Sequence, residues 1–110
     1  MKNWTAPIDA ATLRRWQAQL FPEPSTARFA RFLGIRQKSC QRFLDGERIF
    51  DATPDQIDDF EVQAAALKET DFVAKLDALL MEAGQGGVHP EIVAAHLAHA
   101  HKTKTGRPIE

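Results

Sequence analysis

Apolar residues recur every three or four positions along most of this chain, and each run is bounded by a capping or breaking residue. That is the pattern of amphipathic helices. Asp9 stands as an N-cap before the first run, with Ile8 and Leu13 spaced to close a hydrophobic staple across it. Leu13, Trp16 and Leu20 then give the buried stripe of a first helix, which must stop before Pro22 and Pro24. Ser25 caps a second helix with Phe29, Ala30 and Leu33 inward and Arg28 and Arg31 outward. Gly34 ends that helix at a point where the chain has to reverse through positive φ. Ile35 plugs the turn, and Cys40 and Phe43 pin a third helix, about Gln37 to Leu44, which closes at Gly46.

Glu47 to Ala52 reads as a loop. Thr53-Pro54-Asp55-Gln56 is a capping box with proline at the first helical position, and it starts a fourth helix whose apolar face is Ile57, Phe60, Ala64 and Leu67. A break at Thr70-Asp71 is expected, followed by a fifth helix carrying Phe72, Val73, Leu76, Leu79 and Leu80. Gly84-Gln85-Gly86-Gly87 reads as a flexible hinge, and Pro90 opens a last helix to about Ala100, with a disordered tail beyond it. No strand pattern and no internal repeat is apparent. The fold class is therefore all-α. The division is a helical domain at 1–83, with its helix-turn-helix at 26–46, and a segment at 84–110 holding the hinge, the last helix and the tail.

Charge changes the picture only when it is resolved along the chain. The net value is −1 over 110 residues, yet residues 25–48 carry six basic side chains against two acidic ones, while 49–83 carry two lysines against nine acids. Such segregation orients the approach of a polyanion. Inside the basic stretch, the positions left outward by the buried pattern are Arg36, Gln37, Lys38, Gln41 and Arg42. These long donors and acceptors suit phosphates and base edges, which an ordinary helical hairpin does not require.

The segment resembles the Cro/phage-repressor-type (Xre-like) DNA-binding domains, with the likeness running from about Asp9 to Ala65. It rests on LRRWQAQLF, ARFARFLGI and KSCQRFLDGERI in that order, a glycine ending the recognition helix. The resemblance implies a five-helix Cro/repressor-like helix-turn-helix domain, here with an additional C-terminal helix. It also implies insertion of the third helix into the major groove of double-stranded DNA. Gln37, Lys38, Ser39 and Gln41 are then the base-reading candidates, since Gln pairs with adenine and Lys reaches guanine acceptors. Arg28, Arg36, Arg42 and Arg48 are the phosphate candidates. Thr26 joins them because it occupies the start of helix two, where the family often has a Gln that touches phosphate and buttresses the reading residue. Family members also often cap the recognition helix with Ser or Thr, and Arg36 stands there in this chain.

The expected function is a sequence-specific transcriptional regulator, a dimeric repressor of a phage, mobile-element or toxin–antitoxin type operon that reads a palindromic operator. Leu76, Leu80, Ile92, Val93 and Leu97 supply the expected homodimer interface, because a short amphipathic helix after a hinge is marginal unless it packs on something. The alternative is a protein-interaction module, antitoxin-like or polymerase-binding, with the helices as scaffold.

Other classes find little support. No apolar run approaches twenty residues, and MKNWTAPID lacks the stretch of a secretory signal, so a cytoplasmic location away from membranes is expected. The single cysteine forms no internal disulfide, and Cys40 falls at a core position. His89, His96, His99 and His101 have no carboxylate or thiolate to complete a metal set, and are expected to be solvated or at an interface. Neither a nucleophile–base motif nor a phosphate-binding glycine loop is present, so no enzyme, cofactor or small-molecule ligand is expected.

Overall fold

The structure, a computed structural model, describes residues 3–23 and 25–109; Pro24, expected beyond the end of the first helix, lies outside them. It is mostly helical with one small sheet. The elements are β1 (Ala6–Ile8), α1 (Ala10–Leu20), α2 (Thr26–Leu33), α3 (Gln37–Leu44), β2 (Phe50–Ala52), α4 (Pro54–Glu69), α5 (Phe72–Gln85) and α6 (Pro90–Thr105). The chain divides into two compact units, with the boundary in sequence between Thr70 and Asp71.

In the first unit the caps stand where the sequence places them. Asp9 accepts from the Thr12 N–H at 2.8 Å, and Ser25 from the Arg28 N–H at 3.3 Å. The Thr53–Gln56 capping box is closed in both directions. Gln56 also donates from Nε2 to the Leu33 carbonyl at 2.8 Å. One side chain thus starts α4 and satisfies a carbonyl that the end of α2 leaves without a helical partner.

Leu13, Trp16, Phe29, Ala30, Leu33, Cys40, Leu44, Phe50 and Ala52 form the core. Trp16 stacks on Phe60 with centroids 4.4 Å apart, which fixes α4 against α1. Phe21 packs edge-on to Phe29 and Phe32, closing the end of α1 over α2. Leu20 is only half-buried, and Gln17 takes the third buried place on α1.

The chain is all-α in the main, as expected, and the sheet is a small addition that corrects the expectation of a loop through 47–52 at Phe50–Ala52. β1 and β2 pair antiparallel, with Ala6 opposite Ala52, Pro7 opposite Asp51 and Ile8 opposite Phe50. Each strand has three residues, too short for a period-two pattern to stand out. The burial of Phe50 and Ala52, with Asp51 outward between them, is the whole of that signal in β2. Phe43 lies 5.2 Å from Phe50, so the sheet seats directly beside α3.

The second unit begins at Asp71, which sits in the left-handed region at φ 53° and so ends the run from α4. This is the break expected at Thr70-Asp71. Helix α5 groups with α6, so the unit boundary differs from the expected division after residue 83. The reason lies in the glycines. Gly84 and Gln85 are still helical, and Gly87, at φ 79°, lets the Val88 N–H reach the Ala83 carbonyl and the Gly87 N–H reach that of Gly84. That pair of bonds is a Schellman motif, a defined turn in place of a flexible hinge. Likewise α6 does not stop at Ala100; it continues to Thr105 and is capped at Gly106.

Candidate nucleic-acid interface

Helices α2 and α3 are joined by a turn whose geometry follows from Gly34. At φ 73° it allows the Ile35 N–H to bond the Ala30 carbonyl and its own N–H to bond that of Arg31. Ala30 and Cys40, both fully or almost fully buried, line the inner side of the pair. A side chain larger than alanine at position 30 would push the helices apart. Burial also pushes the Cys40 thiol pKa up, so the sulfur behaves as a small core group.

With Cys40 and Leu44 inward, α3 turns Gln37, Lys38, Gln41 and Arg42 to solvent and leaves Ser39 half-buried. Arg36 precedes the helix, is exposed, and makes no side-chain capping bond. An uncapped first turn presents backbone N–H groups and the positive end of the helix dipole, both favourable to an anion. Arg48 is exposed between α3 and β2, and Arg28 is exposed on α2. The predicted residues on α3 and Arg36 therefore share one continuous segment of surface.

Gln41 is the best-positioned of them. Its Oε1 accepts from the Thr26 hydroxyl at 2.9 Å, and its Nε2 donates to Asp45 Oδ1 at 2.9 Å. Thr26, expected as a phosphate contact, thus bonds Gln41, and its hydroxyl proton is committed there. Asp45 is the member of this group that sequence reasoning misses. Its signal is the Gln41–Asp45 spacing of four, which brings a Gln and an Asp onto one helical face. A shallow pocket of about 470 Å³ lies beside this triad, lined also by Arg14, Gln17 and Phe21.

The residues expected at a dimer interface lie on α5 and α6. Leu80 and Ile92 are exposed, whereas Leu76, Val93 and Leu97 are half-buried. Among the described residues no group of three or more His, Cys, Asp or Glu is placed to hold a metal ion. No helix among them is long and apolar enough to cross a membrane. No family model, curated protein or solved structure matches this chain.

Proposed function

We propose that this protein is a sequence-specific DNA-binding regulator that lays α3 in the major groove, in the manner of Cro/repressor-type domains. The observation that carries the reading is Gln41, held from both sides by Thr26 and Asp45 on an otherwise solvent-facing, basic helix surface. An amide fixed in this way spends less entropy on engaging a base edge. Gln37 and Lys38 lie one turn N-terminal to it and complete the reading set. Arg36, Arg42 and Arg48 bracket that set as phosphate contacts, and they set the register without choosing sequence. The exposed acids Asp55, Asp58, Asp59 and Glu61 of α4 are repelled by the same polyanion and help orient the encounter. Acting as a repressor, the protein occupies a two-fold operator with α3 helices about one DNA turn, ~34 Å, apart.

Selection of bound duplexes from a random library tests this directly. The expected result is an enriched motif with two-fold symmetry, and an affinity that falls steeply with salt. A blank selection at low ionic strength would reject DNA reading in favour of a protein-interaction module.

A further inference from the structure

We propose that the α5–α6 hairpin is a self-complementary docking surface for a second copy of this chain, seated antiparallel to the first. This surface supplies the contact between copies on which the two-fold operator reading rests, but its residues all belong to the second unit.

The unit spans Asp71 to Glu110, and neither of its helices contains a buried residue. Chains below about 40 residues seldom hold a core without a partner, a metal or a disulfide. The apolar side chains are nevertheless there. Phe72, Val73 and Leu79 of α5 and Ile92 of α6 are each more than half exposed. A groove of about 340 Å³ between the helices is lined by apolar groups and one histidine, His96. Two helices cannot enclose this face, and four can.

Charge selects the occupant. Helix α5 runs toward the turn and α6 away from it, so the hairpin has a turn end and an open end. The turn end carries Glu82 and Glu91 and no lysine or arginine after Lys75 on α5 or before Lys102 on α6. The open end carries Lys75, Lys102, Lys104 and Arg107 against Asp71 and Asp77. At 1.5 Å per residue, Lys102 and Lys104 lie roughly 15–20 Å from the level of Glu91 along α6. A parallel second hairpin would set like charges together at both ends. An antiparallel one, related by a two-fold axis, sets each acidic end against a basic end and makes every favourable pair twice.

The test is sedimentation equilibrium of the full chain across micromolar concentrations, without DNA. The expected species has twice the 12.3 kDa chain mass. Replacing the exposed pair Leu79→Glu and Leu80→Glu should raise the dimer Kd roughly a hundredfold, with helicity retained because neither side chain is buried. Reversing one end by Glu82→Lys with Glu91→Lys should weaken the dimer roughly tenfold at low salt. Adding Lys102→Glu with Lys104→Glu to that variant should restore it, because both ends are then inverted together. A monomer at every concentration overturns the proposal, whether the face stays open to a hydrophobic dye for a foreign partner or is closed by the chain itself. A dimer indifferent to Leu79 and Leu80, or one that the second charge reversal fails to restore, overturns it as well.

Discussion

The hydroxyl of Thr26 donates to Oε1 of Gln41 across 2.9 Å, from the first residue of α2 to the middle of α3. The bond joins two helices outside their apolar seam, and with Asp45 it leaves the Gln41 amide one defined orientation. Thr26→Val keeps the shape of the side chain and removes the donor. Discrimination at the operator position read by Gln41 is expected to fall by up to about 1–3 kcal/mol. Stability should change by no more than the net worth of an exposed hydrogen bond, about 0.5–1.5 kcal/mol. Competition binding against single-base operator variants checks this, and an unchanged profile would show that the Thr26 bond does not hold Gln41 for base reading.

Much of this arrangement is legible in the sequence, because it rests on local rules. Caps at Asp9, Ser25 and Thr53, the turn at Gly34 and the buried spacing of Cys40 each follow from a few neighbouring residues. What escapes is non-local or very short. The Thr26–Gln41 bond spans fifteen positions, and Gln56 reaches back to Leu33 over twenty-three. Neither has a periodic trace. The β1–β2 pair is decided by burial of Ile8, Phe50 and Ala52 against the core, which no three-residue window reveals. The glycines at 84–87 suggest flexibility by composition, whereas the bonds they permit define a turn.

Arg36 and Arg42 test the division between positioning and reading. Each is exposed at the edge of the proposed surface. Changing either to Ala should lower the slope of log affinity against log salt by about 0.9 for each phosphate no longer neutralised, and weaken all sequences alike. A change in the preferred motif would move that arginine among the base-reading residues.

Gly34 separates backbone strain from packing. A Cβ built there meets nothing within 4 Å, so Gly34→Ala introduces no clash, yet φ remains at 73°. The expected loss is about 1 kcal/mol, the cost of the left-handed region for a side-chain-bearing residue. Gly34→Asn should lose less, because Asn tolerates that region. Urea unfolding of the two variants gives the comparison, and equal losses would point to a cause other than backbone conformation.

Cys40 has no exposed surface, and desolvation holds its thiol above the ordinary range. Alkylation by iodoacetamide should therefore be slow in the native protein and accelerate with urea in step with unfolding. Rapid native labelling would mean that α3 leaves the core on its own, and would make the cysteine a candidate redox site.

Asp9 links stability to pH. Its carboxylate pKa is lowered from 3.8, first by the Thr12 N–H it accepts and then by the Thr12 hydroxyl; desolvation opposes this, and the charge of Arg15 adds a smaller lowering. A folded value below the unfolded one means that the contribution is complete above about pH 4 and is lost as pH falls through the lowered value. The stability gap between the parent chain and Asp9→Ala should therefore be widest near neutrality and shrink under acid, where the protonated cap accepts more weakly. Asp9→Asn, which caps without charge, should show a gap that closes more completely. Urea midpoints measured from about pH 7 to pH 3 decide the matter, and gaps that stay constant would show that the charge on Asp9 contributes nothing to the start of α1.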